Sequence, residues 1–421
     1  MYGTASTQKI NDAMKLSHKT ITSAAAALFT FITLHSCQAQ SDLAMIDPSK
    51  SEIETKKPLP IHECDYIENG KIQVVFALDV TGSMSGLISA AKDKIWSIAS
   101  SLSQGDEGTE VSMGIVAYRD RGDNFVTKVT DLNTDLDIVF AELQALSAAG
   151  GGDTPESVNQ ALYDAIHKIS WDESPTTMRT IFMVGDCPPH MDYPDDVKYP
   201  ESCQIARQKD IVVNTILMGA NSGTALTWGD MASLGGGDYF ATGMDAGSLA
   251  ISTPFDEEIR KKSAEIEESK VYWGTDDVRE NQETIKGMKI KTESTMTVES
   301  AARRAEYINS GAADDDFYGE NELLNDVATG AIKIADIDED LLPSELKKVS
   351  EEEREEVILG MIETRIANKE DLEMLIIERQ NYIEMNVAEV DKKSSLTHNV
   401  FNSLQKQAKK KKIRTKATAS Y

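Results

Sequence analysis

Short, almost wholly apolar segments recur along the first half of this chain, each closed by a polar or Gly-bearing turn and followed by an amphipathic stretch. Gln73 to Leu78 is the first, bounded by Asp79 and a Thr-Gly-Ser-Met-Ser turn. Its length and β-branched content predict a strand buried on both faces. Val111 to Tyr118, Thr180 to Val184 and Ile211 to Leu217 read alike; shorter strands are expected at Phe125 to Val129 and at Tyr239-Phe240. Helical spacing lies between them at Leu87–Leu102, Leu136–Leu146, Glu156–Ile169 and Tyr199–Gln208. Strands alternating with helices predict an α/β fold, a doubly wound, mostly parallel sheet flanked by helices and followed by a mainly helical C-terminal region.

In such a sheet, ligands bind beyond the carboxyl ends of the strands. Asp79-Val80-Thr81-Gly82-Ser83 places one carboxylate and two hydroxyls at alternate positions in the turn leaving the first strand. Asp186 follows the strand ending at Val184 and Gly185, so it can face the same crevice. Thr154 stands in Gly150-Gly151-Gly152-Asp153-Thr154-Pro155-Glu156, where glycines permit close backbone approach and a hydroxyl can reach the same point. All of these are hard oxygen donors, which suit Mg²⁺, with Mn²⁺ or Ca²⁺ as alternatives, and do not suit a zinc-type site. Taken singly, Asp79, Thr81 and Ser83 would make an ordinary helix N-cap turn, and Thr154 before Pro155 an N-cap with proline at the first helical position.

The Asp-x-Thr-x-Ser loop, the Gly-rich Thr loop and the Val-Gly-Asp strand end, in that order, resemble a von Willebrand factor type A domain with its metal-ion-dependent adhesion site. The resemblance covers about Lys71 to Gly243. It implies metal ligation by Asp79, Thr81, Ser83, Thr154 and Asp186, a protein partner that offers an exposed Asp or Glu carboxylate to the metal, and no enzymatic activity. It also implies a final domain helix, at about Asp245 to Glu267, that leads into the C-terminal helices. The family usually has serine where Thr81 stands; the oxygen is retained.

Lys15, His18 and Lys19 precede an apolar run from Ile21 to Leu34, too short to span a bilayer, which reads as a signal peptide with translation starting at Met14. Leu34-His35-Ser36-Cys37 resembles the lipobox at which bacterial lipoproteins are lipidated on cysteine. The expected organisation is therefore a leader over 1–37, a tether over 38–63, the α/β domain over 64–243, a helical region over 244–405 and a basic tail over 406–421, with membrane contact through a lipid on Cys37. With Cys37 modified, Cys64, Cys187 and Cys203 allow at most one disulfide within the chain, and their spacing does not choose the pair.

With 70 acidic against 43 basic side chains the net charge is −27, which repels phosphate backbones and makes nucleic acid an unfavourable partner. The leading expectation is a metal-dependent adhesion or scaffolding protein of the bacterial envelope, periplasmic or on the outer membrane. A regulatory subunit holding an ATPase or enzyme partner through the same site is the alternative, and a hydrolase finds little support: Cys187 and His190 lack an orienting third group, and Ser83 lacks a nucleophile elbow.

Past Gly243, Ser350 and Glu353 form a capping box ahead of a long helix from Glu351 to Met385, with Val357, Ile358, Met361, Ile362, Leu372, Leu375, Ile376 and Ile383 as its apolar stripe. Because the stripe is no clean heptad, packing on the main domain is favoured over pairing with a partner helix. Arg121-Gly122-Asp123 reads as a turn between strands, and Lys406, Lys409 to Lys412, Arg414 and Lys416 as a solvated terminus.

Overall fold

A computed structural model describes residues 66–67, 70–103, 109–152, 154–242, 251–309, 317–386 and 395–415. The leader, the tether, Cys37, Cys64 and Asp153 lie outside the described residues. Six strands form one sheet: β1 (Lys71–Asp79), β2 (Glu110–Tyr118), β3 (Thr127–Asn133), β4 (Met178–Gly185), β5 (Ile211–Met218) and β6 (Gly236–Thr242), in the order β3-β2-β1-β4-β5-β6. Every neighbouring pair is parallel except β2 with β3. The expected doubly wound fold is the observed one.

Period-two alternation sorts each central strand into two cores. Val74, Phe76 and Leu78 face one side, where α1 (Ile88–Ser103) and α2 (Leu136–Ala145) pack; Val75 and Ala77 face the other, against α3 (Val158–His167), α4 (Tyr199–Gln208) and α5 (Ser222–Gly235). No helix was expected between β5 and β6, because Gly223 and Gly229 depress its propensity. Asn221 caps α5 by accepting from the backbone of Gly223 and Thr224, and fully buried Trp228 anchors it. β3 starts two residues later than expected and runs on to Asn133, because this polar edge strand pairs on one side only. The helix expected from Glu156 starts at Val158, since Glu156 is held in a bridge to Pro189.

The C-terminal helices are α6 (Asp256–Glu268), α7 (Asp276–Thr295), α8 (Val298–Asn309), α9 (Leu323–Thr329), α10 (Ser344–Lys347), α11 (Glu351–Asn386) and α12 (Leu396–Lys410). Members of α6, α8, α11 and α12 share the first core, whereas α9 and α10 meet the start of α11 in a separate apolar cluster of Leu323, Leu324, Leu346, Ile358 and Ile362. Ile259, Ala305, Tyr307, Leu372, Phe401 and Leu404 join the same apolar cluster as α1, and the Tyr307 ring meets the Trp96 indole edge-on at 5.7 Å. Of the α11 stripe, Ile358, Ile362, Leu372, Ile376 and Ile383 are buried, whereas Val357 and Met361 face solvent. Where a solvated basic terminus was expected, residues 406–415 are built into the fold. Ile413 lies against Gly70, Lys412 O accepts from Ile67 N at 2.9 Å, and Lys411 pairs with Asp210. The alternation of Phe401, Leu404, Ala408 and Ile413 with the cations explains it: the apolar members are buried and the lysine stems run along the surface.

Asp137 on α2 is the polar counterpart of this packing. Its carboxylate takes two hydrogen bonds from Arg304 of α8, at 2.8 and 2.7 Å, and Arg304 also reaches Glu293 of α7 at 2.8 Å. Cys187 and Cys203 are both free thiols. Among the described residues no helix is long and apolar enough to cross a membrane.

Candidate metal site

The chain winds from β1 through β2 to β3 on one side and returns to β4 on the other, so the switch in strand order falls between β1 and β4. Asp79 is the last residue of β1, and Asp186 follows the last residue of β4. After Asp79 the backbone turns into a 3-10 segment, Gly82–Gly86, pinned by Gly82 N donating to Gly150 O at 3.0 Å and Ala149 N to Val80 O at 3.0 Å.

Four side chains form one run of oxygens across this gap. Asp79 Oδ1 accepts from Thr81 N at 2.9 Å and from Thr81 Oγ1 at 2.6 Å. Thr81 Oγ1 lies 3.0 Å from Ser83 Oγ, which donates to Asp186 Oδ1 at 2.9 Å. Asp79 and Thr81 are fully buried, Asp186 is half-buried and Ser83 is exposed, so the run opens to solvent at its far end. Burial pushes the Asp79 carboxyl up to about 7 against the Thr81 hydrogen bonds that lower it, and the nearby Asp186 charge adds to the rise. Asp79 Oδ2 is buried and has no hydrogen-bond partner among the described residues. A buried carboxylate oxygen without a partner is costly unless a cation or donor meets it.

The structure brings Asp79, Thr81, Ser83 and Asp186 together and leaves Thr154 out of the hydrogen-bonded run. Thr154 is exposed, and the position before α3 belongs to Ser157, whose hydroxyl donates to Asp120 at 3.0 Å rather than capping the helix. In its place the Gly-rich loop delivers a residue that sequence reading took for a helix start. Glu156 is 2% exposed, shares a hydrogen bond with Thr81 and leaves Oε2 without a partner. Burial first, then the charges of Asp79 and Asp120, push its carboxyl up to about 8. Gly151 makes the approach possible: its φ is +75°, and a Cβ there would stand 3.0 Å from Glu156 Oε1 and 3.3 Å from Thr81 Cβ.

Asp123 fixes that loop, accepting from Gly151 N at 2.8 Å and Asp120 N at 3.2 Å. Arg121 pairs with Asp195 and Asp196 and lies 4.1 Å over the Tyr193 ring. The Arg-Gly-Asp tripeptide is thus engaged internally. Replacing Asp123 by Ala should lower stability by about 1–2 kcal/mol, read from the urea midpoint, because two backbone donors lose their acceptor.

Thr224 Oγ1 of α5 donates to Asp186 O at 3.2 Å and Trp228 Nε1 to Cys187 O at 3.0 Å, bracing the loop that carries Asp186. His190 is buried beside this loop: Nδ1 meets Asp192 at 2.8 Å, Nε2 lies 3.6 Å from Asp120, and the ring stacks on Tyr193. It packs the rim. Burial, reinforced by Asp186, pushes the Cys187 thiol up to about 12, far from a nucleophile's range.

Two carboxylates, two hydroxyls and an unpartnered buried oxygen fit a hard divalent cation such as Mg²⁺. Among the described residues no group of three His, Cys, Asp or Glu side chains that could hold a metal ion is found. The model of the von Willebrand factor A domain matches residues 73–253. Those residues are a von Willebrand factor A domain. No curated protein matches the chain. Among solved structures it is similar to proximal thread matrix protein 1 from the mussel byssus, at 14% identity over 42% of this chain and 43% of that one with a TM-score of 0.32. The same mussel protein with a zinc-occupied MIDAS motif gives 14% identity, the same coverage and a TM-score of 0.33. The SpRpn10 von Willebrand factor A domain gives 12% identity over 41% of this chain and 88% of that one, with a TM-score of 0.32. The chain spans less than half the length of the mussel protein. A von Willebrand factor A domain is usually a non-catalytic module that binds proteins, typically in a metal-dependent way.

Proposed function

We propose that this chain is a metal-dependent adhesion or scaffolding protein of the bacterial cell envelope, which binds a partner's carboxylate at the β1–β4 switch point. The observation that carries the reading is the run Asp79, Thr81, Ser83, Asp186, with one buried carboxylate oxygen left unpartnered. Asp79, Thr81, Ser83 and Asp186 would hold the cation, with Glu156 behind Thr81; Thr154, exposed beside the loop, would have to move inward to join them. A bound Mg²⁺-type ion with a coordination position open to solvent supplies an electrophilic seat for an Asp or Glu of the partner. The protein's part is to hold four oxygens in place before the ion arrives, at the ends of two central, hydrogen-bonded strands and the turn between Asp79 and Ser83. Calorimetric titration of the metal-stripped chain with Mg²⁺ and Mn²⁺ tests this: saturable one-site binding is expected, and its absence with both ions would overturn the reading.

The envelope setting rests on the leader-like run and on Cys37. Expressed in a bacterial host and labelled with radioactive palmitate, the wild type should incorporate label and fractionate with membranes. Cys37→Ser should lose the label entirely and accumulate as an unprocessed precursor. Equal labelling of both forms would remove the lipid anchor from the proposal.

A further inference from the structure

The last turns of α12 carry cations that the metal site does not use. Lys406, Lys409 and Lys410 stand three and four residues apart, so they share one face of the helix, opposite the face that buries Phe401, Leu404 and Ala408. All three are exposed, as is Lys412 just beyond the helix, and none of the four side chains has a hydrogen-bond or ion-pair partner among the described residues. The helix dipole favours cations in the last turn, which accounts for Lys409 and Lys410 and not for Lys406 or Lys412.

Acids at this end of the sheet are answered by other cations. Asp210 pairs with Arg179 at 3.1 Å and with Lys411, whose ammonium also donates to Pro175 O at 2.7 Å. Glu110 pairs with Lys71 at 3.2 Å, and Asp172 lies 3.9 Å from the same ammonium. Among the described residues Glu173 is exposed beside them, which leaves the lysines in surplus. The net charge of −27 does not cancel that surplus at short range: screening in physiological salt falls off over about 8 Å, and the carboxylates of the metal site lie the length of β1 away. The chain ahead of Tyr66 leaves the fold between these cations. Ile67 N donates to Lys412 O at 2.9 Å, and the Arg414 guanidinium lies 5.2 Å over the Tyr66 ring.

We propose that this end of the protein is a docking surface for an anionic lipid bilayer, with Lys406, Lys409, Lys410 and Lys412 meeting the phosphates of its headgroups. Their stems run along α12 and their ammonium groups stay in water, so they reach phosphate without a shaped pocket. Contact of this kind reads surface charge rather than headgroup shape. It adds a second hold on the membrane to the envelope reading, and it does not need the lipid on Cys37.

The test uses the full chain with Cys37→Ser in every arm, so that no attached lipid contributes, and sediments it with vesicles of phosphatidylcholine alone or mixed equally with phosphatidylglycerol. The leader, with Lys15 and Lys19, is common to all arms and cancels in the comparison. Lys406→Gln, Lys409→Gln and Lys410→Gln together should weaken binding to the anionic vesicles about 100-fold at low salt, roughly five-fold per lysine, and the difference should close in about 1 M salt. Arginine at the same three positions should keep the parent's affinity. Glutamine at Lys261, Lys291 and Lys333, exposed lysines on other elements, changes the net charge equally and should leave binding near the parent's. Melting of the α12 glutamine triple should match the parent, because its three lysines have no partners to lose. Equal binding by that triple and the parent overturns the proposal. A loss of the same size on neutral vesicles, or in the second glutamine triple, overturns it as well, and so does an α12 triple that melts early, since the lysines then serve the fold. None of these failures touches the palmitate test of Cys37, on which the envelope reading stands separately.

Discussion

Asp79→Asn should reverse the sign of its own stability effect when Mg²⁺ is added. In the metal-free protein Asp79 is a fully buried carboxylate with one oxygen unpartnered among the described residues; the asparagine leaves an unpartnered amide nitrogen there but carries no charge, so its desolvation cost is smaller. The amide oxygen can still accept from Thr81 N and Oγ1, so the turn is kept. Metal-free Asp79→Asn is therefore expected to melt at or above the wild-type temperature. With Mg²⁺ in millimolar excess the order inverts, since binding raises only the wild-type midpoint, in proportion to the logarithm of ligand concentration over Kd. Affinity should fall about 100-fold or more, because the only fully buried acid among the four oxygen side chains is gone. Melting curves with EDTA and with Mg²⁺, on both proteins, read the two effects separately. Parallel curves that never cross would show that Asp79 serves the fold and not an ion.

Arg304→Ala should be the most damaging single change outside the site. Arg304 is 2% exposed and bonds Asp137 twice, Glu293 once and lies 3.5 Å from Glu267. Its removal leaves three buried carboxylates, of which Asp137 keeps Lys289 at 4.0 Å and Glu267 keeps Lys270 at 2.7 Å. Breaking a buried pair on one side costs about 3–5 kcal/mol, since the surviving charges keep their desolvation penalty. The urea midpoint should drop accordingly, and Arg304→Lys should recover only part of the loss, because an ammonium cannot serve Asp137 with two parallel bonds and Glu293 with a third. Removing Arg304 and Asp137 together should cost less than the two singles combined, a non-additivity that a double-mutant cycle measures. An unchanged midpoint in Arg304→Ala would mean that the shared apolar cluster, with the Lys289–Asp135 and Ser300–Asp93 bonds, holds the C-terminal helices to α1 and α2 without it.

The contrast between these two residues shows which kinds of information a sequence carries. β1, β2, β4 and β5 were readable because a strand buried on both faces is apolar along most of its length, and their shortness and β-branched content favour a strand over a buried helix. Asp79, Thr81 and Ser83 were readable because they lie within one turn, and Asp186 because strand ends in a parallel sheet all point the same way. Glu156 was hidden by its place after Thr154-Pro155, where an acid looks like the first turn of a helix; only the bridge to Pro189 turns it inward. Thr154 lies outside the hydrogen-bonded run for the opposite reason: spacing fixed which loop approaches the crevice and left open which of its side chains turns toward it. The basic terminus misled because charge was weighed and the apolar residues between the charges were not.

The sheet has two poles, and the chain uses them differently. At the pole where the parallel strands begin, Ile67 is bonded to Lys412, Ile413 lies against Gly70 and the Thr109 hydroxyl donates to Arg414 O, so the first and last described residues leave side by side. The oxygens of Asp79, Thr81, Ser83 and Asp186 sit at the other pole, a strand's length of about 30 Å away for nine residues. A chain held to a surface through residues ahead of Tyr66 would turn the oxygens of Asp79, Thr81, Ser83 and Asp186 to the end of the sheet opposite its attachment.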